Sequence, residues 1–117
     1  MFVHFTDLQL SYLTEEKQGI AIIGLNKAAT KNAFSRSMVD HFTRTVEMLN
    51  HDKNVRVVII RSLVPGIFCA GADLKERAIL TPEEVTRFVN SLRNLLRDIE
   101  QLPMPVISAI DGAGLSS

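Results

Sequence analysis

The chain contains no tryptophan, one tyrosine and a single cysteine among its 117 residues. That cysteine, Cys69, has no partner for an internal disulfide and gives no sign of an oxidising compartment. An excess of one charge is also absent: 13 Lys and Arg balance 13 Asp and Glu. The balance removes any global attraction to nucleic acid or to an anionic membrane. His4, His41 and His51 stand far apart without ligand spacing, so no metal centre is expected. Long hydrophobic runs are lacking too. The longest, Gly19 to Leu25, is far shorter than the roughly 20 residues that span a bilayer, and no membrane partner is expected. Met1 to Tyr12 carries neither Arg nor Lys, so neither a signal peptide nor a usual transit peptide is visible.

What is present suits a folded core. Hydrophobic residues make up 46% of the chain and charged residues 22%, which excludes a disordered class and fits one domain of ordinary size. Leu8 to Leu13 alternates apolar and polar, the mark of a half-buried strand. Gly19 to Leu25 reads as a strand covered on both faces, joined to the first as a hairpin. Asn26 to Asn32 is a polar loop. Ser35 then offers an N-cap, and Met38, Phe42, Val46 and Leu49 follow at helical steps. Val55 to Ile60 is a β-branched run, so a βαβ unit with parallel strands is expected.

Thr81, Pro82 and Glu84 open a second helix with a capping box. Its apolar stripe is Val85, Phe88, Val89, Leu92, Leu95, Leu96 and Ile99, expected to face the core with Arg87, Asn94 and Asp98 on the opposite side. Pro103 and Pro105 end it, Val106 to Ile110 reads as a strand, and Asp111-Gly112 opens a loop. Two helices and about four strands are too few to cover both faces of a parallel layer, so residues 1–117 are expected to form part of a domain.

Between Arg61 and Lys75 lies a stretch rich in small residues. Such a loop follows a buried strand, beyond whose carboxyl end ligands gather in open α/β sheets. Ala70, Gly71 and Ala72 are small enough for a ligand to approach the backbone and use its N–H groups. A tight glycine turn packed under a helix accounts for the same residues.

The segment Pro65-Gly66-Ile67-Phe68-Cys69-Ala70-Gly71-Ala72-Asp73-Leu74-Lys75-Glu76 resembles the oxyanion loop of the enoyl-CoA hydratase/isomerase (crotonase) superfamily. Lys31-Asn32-Ala33-Phe34, Val55 to Arg61 and Pro105 to Gly112 resemble three further motifs of that family, in its order. The run through Lys75-Glu76-Arg77 resembles its methylglutaconyl-CoA hydratase branch, whose members bind AU-rich RNA. The resemblance implies an α/β fold, the N-terminal half of a crotonase-like (ClpP/crotonase) ββα spiral. It implies reversible hydration of an enoyl-CoA such as 3-methylglutaconyl-CoA, in mitochondria, with no cofactor beyond the coenzyme A of the substrate. Leucine catabolism and general fatty-acid metabolism both remain open. The backbone N–H of Ala70 would be one of two donors to the thioester oxygen. Ala33, Ala70, Gly71, Ala72 and Asp73 would line the coenzyme A pocket.

Two departures from the family pattern stand out. Asn26-Lys27-Ala28 replaces a common Asn-Arg-Pro, and Ser116-Ser117 stands where two glycines of the family's triplet fall. Both catalytic glutamates of the family correspond to positions beyond Ser117. Glu76, Glu83, Glu84 and Glu100 occupy positions that the family uses otherwise. The expectation is therefore a partial hydratase domain, truncated before those glutamates and inactive on its own. Family members form trimers or hexamers, which this chain is not expected to reproduce. An RNA-binding module is the alternative, with Lys31, Arg36 and Arg44 as phosphate contacts and Asp40 opposing them. A fragment without function is another. Cys69 is expected to be a small buried residue rather than a nucleophile.

Overall fold

Alternation along Leu8-Gln9-Leu10 puts two leucines fully out of solvent and leaves Gln9 half-buried, as a strand with one covered face requires. The structure, a computed structural model, describes residues 2–14, 18–69 and 71–109. Its sheet has five strands in chain order: β1 (Phe2–His4), β2 (Leu8–Tyr12), β3 (Ile20–Leu25), β4 (Val57–Ser62) and β5 (Val106–Ala109). The pairs β1–β2 and β2–β3 are antiparallel, while β3–β4 and β4–β5 are parallel. The expected hairpin and βαβ unit are both present.

Three details differ from expectation. β1 is additional, being only three residues long and too short to show a period. β3 is not covered equally on its two faces: Ala21 and Ile23 are buried, Ile20 and Ile22 half-buried. β4 begins two residues later than its apolar run. The N–H groups of Arg56 and Val57 both donate to the Gly19 carbonyl, and the register then runs from Ile20 opposite Val57 to Leu25 opposite Ser62.

Helix α1 (Arg36–Asn50) starts where Ser35 predicts, with the Ser35 hydroxyl accepting the Met38 N–H at 3.0 Å. Its face of Met38, Val39, Phe42, Val46 and Leu49 shares one core with Leu8, Leu10, Ile23 and Val58. Burying each such side chain contributes about 1.5–3 kcal/mol. A second tether is polar. The buried Asp7 carboxylate meets His41 Nδ1 at 2.7 Å and accepts from the Ser37 hydroxyl at 3.0 Å, and Phe5 stacks on the imidazole.

Helix α3 (Pro82–Glu100) carries the expected capping box. It packs on α1 and faces the shared core as expected: Leu95 is fully buried in that core, and Phe88, Leu92 and Ile99 pack against it half-buried. Leu96, at the edge of the stripe, is 48% exposed, which corrects the expectation for that residue alone. Arg87 and Asn94, expected to point away, line a cleft of about 400 Å³ between α1 and α3. A short helix, α2 (Leu74–Ala78), was not expected; Asp73 caps it. Among the described residues no helix is long and apolar enough to cross a membrane. Ile110 and the Asp111-Gly112 turn lie outside the described residues.

Candidate functional site

Because β3 and β4 are parallel, their carboxyl ends lie side by side, Leu25 opposite Ser62. Two loops therefore leave the sheet at the same edge: residues 26–35 toward α1 and residues 63–73 toward α2. Their meeting is built from backbone. The Phe34 N–H donates to the Gly71 carbonyl, and the Asp73 N–H donates to the Phe34 carbonyl at 2.9 Å, a parallel bridge of Phe34 with Ala72. The bridge sets Gly71, Ala72 and Asp73 beside Phe34, the residue that follows Ala33. Ala33 is buried, and Gly71, Ala72 and Asp73 are half-buried. Ala70, the expected thioester donor, lies outside the described residues.

Gly71 has φ +90°, a conformation that a side chain makes costly. Asp73 is committed structurally, its carboxylate accepting the N–H groups of Lys75 and Glu76 at 3.1 and 3.2 Å. Both bonds go to one oxygen, Oδ1, which caps the short helix α2 (Leu74–Ala78).

Asn32, within the Lys31-Asn32-Ala33-Phe34 motif, joins more segments than its place in that motif indicates. It is fully buried with φ +58°, in the left-handed region that Asn tolerates better than most residues. Its carboxamide oxygen accepts the Lys27 N–H at 2.7 Å. Its Nδ2 donates to Ser62 Oγ at 2.7 Å and to the Phe68 carbonyl at 2.8 Å. Its own carbonyl accepts the Cys69 thiol proton at 3.0 Å. Ser62, at the end of β4, carries no sequence signal for this role. Its hydroxyl also holds the Val64 N–H and carbonyl, at 2.9 and 3.1 Å.

Cys69 is fully buried, as expected. Burial pushes its pKa up, opposed in part by the Gly71 N–H, so it stays a neutral thiol rather than a nucleophilic thiolate. The Ser37, His41 and Asp7 group does not form a relay either. Ser37 Oγ and Asp7 Oδ1 both approach Nδ1 of the imidazole, whereas a triad uses the two opposite nitrogens. No cluster of three or more His, Cys, Asp or Glu side chains suited to a metal ion occurs among the described residues.

The basic residues predicted for RNA do not converge. Lys31 is an exposed turn residue with φ +53°. Arg36 pairs with Glu76 and Glu84 at 2.6 and 3.4 Å, and Arg44 pairs with Asp40 at 3.2 Å. The Asp40 opposition expected from the sequence is thus a direct ion pair. Glu84 also accepts the Thr81 N–H, and that bond holds its carboxyl below the usual range.

Comparison with known proteins gives a consistent result. The family described as "Enoyl-CoA hydratase/isomerase" matches residues 15–117. The chain is 50% identical over 109 residues to "Methylglutaconyl-CoA hydratase, mitochondrial" of Mus musculus, covering 93% of this chain and 35% of that protein. It is 46% identical over 108 residues to "Probable enoyl-CoA hydratase 2, mitochondrial" of Arabidopsis thaliana, covering 92% of this chain and 36% of that one. Among solved structures, an enoyl-CoA hydratase from Bacillus anthracis superposes with a TM-score of 0.84 at 36% identity, over 91% of this chain and 40% of that one. The chain spans about 35% of the length of the curated relatives it matches.

Proposed function

The chain belongs to the enoyl-CoA hydratase/isomerase family, and we propose that its two apposed loops bind the thioester end of an enoyl-CoA. The observation that carries this reading is the backbone bridge of Phe34 to Gly71 and Asp73. It sets the small residues Ala33, Gly71 and Ala72 beside one another, where a ligand can reach main-chain donors without meeting side chains.

In this reading the N–H of Ala70 donates to the thioester oxygen. When water adds to the double bond, negative charge grows on that oxygen as an enolate forms. An aimed amide in a water-poor site stabilises that charge, and losing one such donor costs about 10²–10³ in rate. Ala33, Gly71, Ala72 and the backbone of Asp73 line the coenzyme A side. Water activation is assigned to no carboxylate among the described residues: Asp73 caps α2, while Glu76 and Glu84 hold Arg36. The part of the reaction proposed for residues 1–117 is thioester binding and polarisation. No metal or redox group is invoked.

A 3-methylglutaconyl-CoA-type substrate and a mitochondrial location are proposed on the names of relatives 49–50% identical to this chain. No such observation favours RNA, since Arg36 and Arg44 are already paired within the chain.

Calorimetric titration of the purified chain with acetoacetyl-CoA, a stable thioester, tests the reading. Saturable binding is expected, with no turnover of crotonyl-CoA above the buffer rate. Absence of binding by a folded chain would overturn the site, and measurable turnover would overturn the restriction to binding.

A further inference from the structure

We propose that Asn32 is a positioning residue for the thioester loop, acting through the Phe68 carbonyl and the Cys69 thiol to fix the backbone that leads into position 70. The inference rests on the reading of that loop as the thioester site. Three segments converge on this one side chain: the Lys27 turn, the end of β4 at Ser62, and the loop at Phe68. On the far side of position 70, Gly71 and Asp73 are held by Phe34, two residues along from Asn32. The loop is therefore gripped before and after the proposed donor by one short stretch, residues 32–34.

The chemistry demands asparagine for two reasons. Both amide protons and the amide oxygen are used, so a carboxylate loses both donors and faces the Phe68 carbonyl with like charge. The backbone at φ +58° is also left-handed, which Asn or Gly accepts and β-branched residues resist. Main-chain donors act on a growing charge only when held to a fraction of an ångström by the groups behind them. Here Asn32 is that group. It touches no substrate in this assignment and is not itself catalytic.

Two substitutions test it in the full 117-residue chain. Asn32→Gly keeps the backbone conformation and deletes the amide. Ser62→Ala removes one of its partners without burying a charge. Titrations use acetoacetyl-CoA and coenzyme A itself, which lacks the acyl oxygen. Asn32→Gly should bind acetoacetyl-CoA about 10-fold more weakly and coenzyme A within about 3-fold of the parent chain, since it forfeits the three side-chain hydrogen bonds that tie the Phe68 segment to Lys27 and Ser62. Ser62→Ala should show the same selectivity, weakened. Equal losses for both ligands would reduce Asn32 to a purely structural role and overturn the proposal, as would no loss at all.

If the parent chain binds neither ligand, the thioester reading fails, and amide exchange decides the positioning claim. Exchange at Asp73 should then quicken about 10-fold in Ser62→Ala while Val58 and Ile60 are unchanged. Unchanged exchange at Asp73 would overturn the claim.

Discussion

Arg36 Nε lies 2.6 Å from Glu76 Oε1, and that same oxygen accepts the Arg36 backbone N–H at 3.0 Å. One acidic side chain from α2 thereby neutralises the arginine and satisfies an N–H at the open end of α1, where anions are favoured. The guanidinium reaches on to Glu84 Oε2 at 3.4 Å, so three helices meet at one cation.

This pairing bears on nucleic acid. A phosphate at Arg36 must displace two carboxylates, and one at Arg44 must displace Asp40. A short AU-rich RNA should bind no tighter than about 10⁻⁶ M at physiological salt, the range of non-specific contacts. Arg36→Ala and Arg44→Ala should leave that value unchanged in fluorescence anisotropy. Nanomolar binding that weakens in either variant would contradict the arrangement.

Gly71 and Gly66 make an internal control for one another. Their φ values are +90° and +73°, and an added Cβ would meet nothing within 4 Å at either. Alanine at each should therefore cost about 1–2 kcal/mol through backbone conformation alone. In urea unfolding the two variants should look alike. In titration with acetoacetyl-CoA only Gly71→Ala should weaken binding, because only Gly71 bonds to Phe34.

The start of α3 depends on a reciprocal pair. The Thr81 hydroxyl accepts the Glu84 N–H, and Glu84 accepts the Thr81 N–H. Thr81→Ala should cost about 1 kcal/mol, read as a lowered midpoint in chemical denaturation. The pKa of Glu84 is lowered, chiefly by the Thr81 N–H. Its contribution is thus present above the ordinary carboxylate range and fades as pH falls through the lowered native value. Glu84→Gln should be less stable than the parent chain at neutral pH and indistinguishable from it in acid.

Cys69 should resist alkylation. Its thiol is fully buried and its pKa raised by that burial. Reaction with iodoacetamide near pH 8 should run at least about 10-fold slower than for a free thiol, and reach the free rate only in denaturant. A raised acid pKa also means that its contribution to stability holds below the ordinary thiol range and is lost as pH rises through the native value. Cys69→Ala should flatten the alkaline limb of a stability profile.

Local chemistry made much of this fold legible. Ser35 and Thr81 announce α1 and α3 because a side-chain cap acts within three residues of itself. Leu8 to Tyr12 shows its strand because period-2 alternation needs only five positions. The short helix after Asp73 was hidden, since five residues hold no apolar period. Leu96 is exposed because the apolar stripe is wider than the contact it makes: Leu95, Phe88, Leu92 and Ile99 meet the core, and Leu96 lies at the edge of that face. The grouping of Ala33 with Gly71, Ala72 and Asp73 came from motif resemblance, and the backbone bridge at Phe34 supplies its physical cause. Asn32 was illegible as a hub: its partners Ser62 and Phe68 lie 30 and 36 residues away, and nothing local marks those contacts.

The strand order carries a kinetic consequence. Partners in β2–β3 belong to one hairpin, but β3 must wait for β4 to return across α1, and β4 for β5 to return across α3. Non-local parallel pairing incurs its loop-closure cost before its contacts form, which slows folding relative to helical chains of equal length. The Asn32 amide bridges segments on either side of that closure. The hydrogen bonds that join the two loops therefore require β4 to have docked on β3, so the proposed binding edge is a product of non-local closure and not of any one local segment.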